Sequence, residues 1–336
     1  MTRRSVLTLA AVLLSPAIAH GQMAAVEAVQ SVGASTESIA SAGVQFRGLA
    51  EPMKGLRLRV ETAWGDRSEA QSDVFGTAYP YGGRFDVIEA YGEWLTERRG
   101  LRAVKAGRYR TPFGLYNASD HAYLGFLRPP LIRYGEYWGL SAGYLEHGVD
   151  VLVGVPQLSL EMSIGRPGDV GEVMRRPGWN STVRAEGSAG PWIVGASFVN
   201  TTPYEPLVED APGRTHFGGI DARWMRDGVQ FRGEWLFGQY SDFATTTGGY
   251  FDTIVHTPAM GRVTALGRIE TINYDTIPPY SLVTHRYSAA ARVRAWQGLS
   301  VSLGITHQGG QQTQESRTAV DLGITWALRQ DLTHTQ

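Results

Sequence analysis

The chain has 336 residues, no cysteine and a formal net charge of −1, with two lysines, Lys54 and Lys105, among its 31 basic residues. The lack of cysteine excludes disulfides, thiol nucleophiles and cysteine-held metal, and a charge this close to balance argues against a nucleic-acid partner, which asks for a basic excess. Beyond the N-terminal segment no apolar run is long enough for a membrane helix, so burial has to be sought in the period of the pattern.

At the start of the chain Arg3 and Arg4 precede an apolar run from Val6 to Leu14, and Ala17 and Ala19 place small residues before a cleavage point. That is the layout of a cleaved export signal, too short to span a bilayer. Cleavage is expected after Ala19, which leaves 20–336 as one domain and, with two arginines removed from −1, a formal charge of −3. A large exported chain without disulfides has to draw its stability from burial or from a membrane.

Residues 24–34 (AAVEAVQSVGA) suit either a strand or a short helix. After them the chain reads as strands. In 55–65, Leu56, Leu58, Val60 and Trp64 alternate with Arg57, Arg59 and Glu61. In 158–165, Leu158, Leu160, Met162 and Ile164 alternate with Ser159, Glu161 and Ser163. In the last such segment, Val320, Leu322, Ile324, Trp326 and Leu328 alternate with small or polar residues. Strict period-two alternation over about nine residues is the signature of a tilted membrane strand. The expected strands are 39–49, 55–65, 84–97, 101–110, 146–155, 158–165, 179–189, 192–201, 214–226, 229–240, 249–258, 262–274, 283–296, 299–309 and 316–328. A closed barrel of this kind takes an even number. With 24–34 supplying one more, the expectation is an all-β transmembrane antiparallel barrel of sixteen strands, with fourteen as the alternative.

The links support this. Tight ones at 51–55, 98–100, 156–157, 190–191, 227–228 and 297–298 alternate with longer ones at 66–83, 111–145, 166–178, 202–214, 241–249, 275–283 and 308–316. Short turns on one side of a membrane and long loops on the other give this alternation. A water-soluble β-sandwich or β-helix would match the local pattern equally well; the export signal, the strand count and the link lengths together favour the barrel.

The 111–145 link is the third long loop and is unusually long for a compact domain. A sixteen-strand barrel encloses an aqueous channel, and a loop folded inward would narrow it. Pro112 and Gly114 allow a stiff, tight turn. Phe113, Tyr116, Tyr123, Phe126 and Trp138 can pack on the wall, leaving Asp120, Arg128, Arg133 and Glu136 to line a constriction.

The stretch AGRYRTPFGLYN, with DVIEAYGEW before it and GVDVLVGV after it, resembles the outer-membrane porins of the phosphate-selective porin O/P type. Their Gly-x-x-x-x-Pro-Phe-Gly turn falls here on Gly107, Pro112, Phe113 and Gly114. The close match covers about a tenth of the chain. The resemblance implies a bacterial outer-membrane porin, embedded in outer-membrane lipid and passing small hydrophilic or anionic solutes. In general trimeric porins the third loop narrows the pore, which makes a homotrimer the expected assembly. The phosphate-selective branch has a lysine- and arginine-rich path, whereas this chain has two lysines and ends at Gln336 rather than on a terminal Phe.

Alternation places thirteen arginines on the lumen side against ten acids. The cluster Arg262, Arg268, Arg286, Arg292 and Arg294, offset only by Glu270, is the candidate anion path; the other pairs could equally be salt bridges stiffening the wall. Alternation turns Lys105 toward lipid unless a bulge intervenes. The eight histidines have no metal spacing, and no cofactor motif is present. Ser119, Asp120 and His121 are adjacent, but triad residues rarely are. The reading is a mildly anion-preferring diffusion channel and no enzyme; a closed barrel acting as enzyme, adhesin or scaffold is the alternative.

Overall fold

The computed structural model describes residues 23–332 apart from 38–39, 68–74, 76–78, 80–82, 97–99, 117–118, 135–138, 141–143, 169–176, 204–212, 243, 277–279 and 311–315. The expected export signal, Glu136 and Trp138 lie outside the described residues. The strands are β1 (Met23–Ser35), β2 (Ala40–Met53), β3 (Leu56–Arg67), β4 (Arg84–Leu95), β5 (Gly100–Arg110), β6 (Leu145–Val155), β7 (Leu158–Gly168), β8 (Asn180–Ala189), β9 (Trp192–Thr201), β10 (Thr215–Arg226), β11 (Val229–Tyr240), β12 (Ala244–Val255), β13 (Val263–Thr276), β14 (Tyr280–Arg294), β15 (Leu299–Gly310) and β16 (Arg317–Asp331). Each pairs antiparallel with its chain neighbours, and β16 pairs with β1 from Ala25↔Asp331 to Ser35↔Asp321, so the sheet closes on itself. The 24–34 segment is thus a strand and not a helix, and the fourteen-strand alternative does not hold. Closure leaves no open sheet edge among the described strands, as a bilayer demands.

The side chains sort as the alternation requires. On β16 the apolar Val320, Leu322, Ile324, Trp326 and Leu328 are each 42–45% exposed, facing outward, while Ala319, Asp321 and Thr325 are buried toward the lumen. At the tight-turn end the rings of Trp192, Trp224, Phe231 and Phe251 follow one another across β9–β12 with centroids 5.4–6.5 Å apart, the placement of an interfacial aromatic girdle. Two links are shorter than expected: β12 begins at Ala244 and β14 at Tyr280, so the loops expected at 241–249 and 275–283 shrink to 241–243 and 277–279. The flanking residues continue the ladder: Thr- and Gly-rich 244–249 on β12, and Asp275 and Thr276 against Ser281 and Tyr280 between β13 and β14.

Lys105 illustrates how one residue resets a face. The β5–β6 register shifts between Leu101 and Ala103, so Arg102 is an extra residue. The bulge turns Lys105 inward, where its Nζ meets Asp150 at 3.4 Å and Glu161 at 3.3 Å.

Candidate channel constriction

The long loop 111–144 is the third on its end of the barrel, and it folds into the lumen. Its entry explains the Gly-x-x-x-x-Pro-Phe-Gly spacing. Gly107 has φ +134, and a Cβ there would run into the backbone of Ala90 and Tyr91 on β4. Gly114 has φ +66, and a Cβ there would strike the Glu234 carboxylate. Phe113 fills the space left by Gly219 of β10, where a Cβ would come within 2.7 Å of its ring. The Gly114 amide donates to Ser197 Oγ at 3.2 Å and the Leu115 amide to Glu234 Oε2 at 3.3 Å. Behind this turn Phe113, Leu131, Ile132, Tyr134, Leu140 and Tyr144 form an apolar core with wall residues Val199, Phe217, Leu236, Tyr250 and Ile272. The hydrophobic core of this molecule therefore lies inside the barrel, between the loop and one wall.

A loop folded inward has carbonyls with no ladder partner, and buried carbonyls need donors. Wall arginines supply them. Arg268 binds Asp252 at 2.6 and 2.9 Å and donates to the Arg128 carbonyl at 2.8 Å. Arg286 binds Glu270 at 2.7 and 3.0 Å and donates to the Pro129 carbonyl. Glu270 in turn accepts the Leu131 amide at 2.7 Å. Arg232 joins Asp252 at 2.8 Å to Asp120 of the loop's single helical turn, α1 (Asp120–Tyr123). Burial pushes the Asp120 carboxyl above its ordinary range, against the pull of Arg232. Arg133 is buried on Glu234. Across the lumen Arg128 forms a two-pronged bridge to Asp321 at 2.7 and 2.8 Å and reaches Glu37 at 3.0 Å. Arg292 donates to the carbonyls of Ala122, at 2.7 Å, and Tyr123.

The loop tip reaches β1 and β2. The Tyr123 hydroxyl donates to Glu27 and accepts from Arg47 Nη1 at 3.0 Å. Burial and the Glu27 hydrogen bond push this hydroxyl up to about 12, so it keeps its proton at neutral pH. His121 lies against Phe75 and 3.1 Å from the Tyr79 hydroxyl, both from the 68–83 loop.

The wall from β3 to β8 is different. Arg57 and Arg59 keep 40% and 38% of their side chains exposed, with carboxylate contacts of 3.6 Å to Glu51 and 3.1 Å to Glu89. Glu186, also 40% exposed, meets Arg184 at 3.1 Å. Opposite the loop, then, some of the charge stays open to solutes, although Glu61, Glu146 and Asp150 on the same strands are buried.

No protein-family model matches the chain, and no curated protein matches it. Solved structures do. An anion-selective porin from Comamonas acidovorans aligns with TM-score 0.63 at 12% identity, over 91% of this chain and 98% of the other. OprB of Pseudomonas putida aligns with TM-score 0.63 at 8% identity, over 94% and 96%. OmpT, an outer membrane protein of Vibrio cholerae, aligns in a form lacking loop L8 with TM-score 0.62 at 9% identity, over 92% and 100%. The fold is the porin barrel.

Within that barrel the residues expected in the site separate into three groups. Arg268 and Arg286 face the lumen but are 3% and 2% exposed, paired with carboxylates and bonded to the loop. They hold the constriction in place and do not line an open path. Arg292 and Arg294 also face inward, and among the described residues neither has a carboxylate within ion-pair distance; Arg294 is exposed. Arg262 lies one residue before β13, at the tight turn, where its carbonyl accepts the Arg294 amide at 3.0 Å and its guanidinium donates to the Ala295 carbonyl at 3.2 Å. The strand starts one residue later than the alternation suggested. Asp120, Arg128 and Arg133 are anchors of the loop. Sequence reasoning missed Asp252, which holds two arginines, so Glu270 is not the cluster's only offset. Its parity opposite Phe251 was the available signal. Ser119, Asp120 and His121 turn to three different partners: Arg47, Arg232 and Tyr79.

Proposed function

We propose that the chain forms a water-filled channel across a bacterial outer membrane, admits small hydrophilic solutes by passive diffusion, and uses its third loop as the constriction. The observation carrying this is the division of the lumen: one wall is buried under the 111–144 loop, while the facing wall keeps Arg57, Arg59 and Glu186 exposed. An apolar outer face, a charged inner face and the likeness to porin structures support the same reading. A mild anion preference rests on Arg292 and Arg294, inward cations toward the tight-turn end. It is a weaker preference than an unbroken arginine ladder would give, because Arg268 and Arg286 are neutralised in place. Assembly as a homotrimer is part of the proposal. Catalysis is not, since Ser119, Asp120 and His121 do not converge.

The test is single-channel recording in planar bilayers with a salt gradient. Discrete conductance steps with a small reversal potential toward the anion side are expected. A purified barrel that inserts yet gives no steps would remove the channel reading.

A further inference from the structure

We propose that the outward face of β7–β10, at the loop-bearing end, binds the phosphate of an anionic lipid headgroup between Arg166 and Arg214. Arg166 follows Ile164 on the outward face of β7, and both are exposed. Its guanidinium lies over the ring of Trp179, 5.4 Å from the centroid, and that ring is 59% exposed. Stacking fixes the plane of a guanidinium while leaving its N–H edge available, which suits two-pronged phosphate binding. Arg214 is held from the other side. Its Nε donates to Asn200 Oδ1 at 2.6 Å, and its Nη2 donates to the Trp179 carbonyl. Asn200 shares the outward face of β9 with Phe198, which is 49% exposed.

The cationic sector extends one way only. His147, directly opposite Arg166 in the β6–β7 register, accepts at Nε2 from Arg108 Nη1 at 2.9 Å, so Arg108 is the cation that extends the patch on that side. Beyond β10 the outward residues at this level are Gln239, Thr245 and Asp275 in successive register with His216. The positive charge is therefore a local patch at headgroup depth and not a uniform rim. An exposed tryptophan with one arginine over its ring and another on its carbonyl, directly above an apolar outer face, matches a lipid with a phosphorylated head and acyl tails, and a free anion would use only the upper half of it.

The inference rests on the outer-membrane reading, and one experiment separates the two. Full-length mature protein in detergent is mixed with lipid A carrying its phosphates, with the same lipid stripped of them, and with inorganic phosphate as competitor; bound lipid is counted by native mass spectrometry. Phosphorylated lipid A should be retained about tenfold or more over the stripped lipid. The double variant Arg166→Gln/Arg214→Gln should lose that margin, and Arg166→Lys/Arg214→Lys, which keeps the charge, should recover part of it. Circular dichroism checks that each variant is a folded barrel. Equal retention of both lipids, or of phosphorylated lipid by wild type and the Gln variant, overturns the proposal. So does competition by inorganic phosphate at equimolar concentration, which would make the patch a free-anion site. Loss of an oligomer instead of lipid in the Gln variant would assign the patch to a second copy and also overturn it. A chain soluble without detergent would instead sink the outer-membrane reading itself.

Discussion

Arg286 on β14 and Arg59 on β3 are both lumen arginines next to carboxylates, yet they serve opposite halves of the barrel. Arg286 is 2% exposed, grips Glu270 with two nitrogens at 2.7 and 3.0 Å, and donates to a loop carbonyl. Arg59 keeps 38% of its side chain exposed and meets Glu89 and Glu61 through one nitrogen at 3.1 and 3.6 Å. Removing one partner of a buried, fully bonded pair strands the other charge. Loosening an exposed pair changes stability little, but it changes the field in the water beside it. Arg286 therefore uses its charge as structure, and Arg59 presents its charge to solutes.

The sharpest way to break this contrast is to remove the loop. Deletion of 117–133 takes away the partners of Arg232, Arg268, Arg286 and Arg292 together and should raise single-channel conductance severalfold in a barrel that still closes. Unchanged conductance would place the constriction elsewhere. A smaller but still large effect is expected from Asp252→Ala. It strands Arg268, leaves Arg232 with Asp120 alone, and should cost on the order of 3 kcal/mol, measured by urea unfolding in detergent. A cost near that of an exposed pair would mean that water already solvates the covered wall. The smallest effect is electrical. Arg292→Gln with Arg294→Gln should move the reversal potential toward cations, and the shift should fade in molar salt, where the Debye length drops to roughly 3 Å. A shift that survives high salt would point to a change of pore shape instead.

The strand count and the inward third loop were legible because period-two alternation is local and each strand carries its own copy. The pairings were not. Whether Arg268 lines a path or holds a loop depends on Asp252, one strand away, and on the Arg128 carbonyl, far along the chain. No local pattern records such meetings. Arg262 and Lys105 show the other limit. A strand that starts one residue late drops Arg262 into a turn, and one extra residue at Arg102 carries Lys105 from lipid to lumen. Faces read by parity hold only as far as the register does.

The pairing of β1 with β16 has a consequence for how the molecule is made. Eleven residue pairs join the two ends of the described chain, from Ala25↔Asp331 to Ser35↔Asp321. Until the last strand is in place, β1 and whichever strand was added most recently are both raw edges, each with a row of unmet amides and carbonyls that lipid cannot solvate. Assembly is therefore decided at a single seam. A chain halted just before Arg317 has fifteen well-patterned strands and still no membrane-compatible state, so an assembly factor or a protease that inspects this one junction learns whether the whole wall is complete.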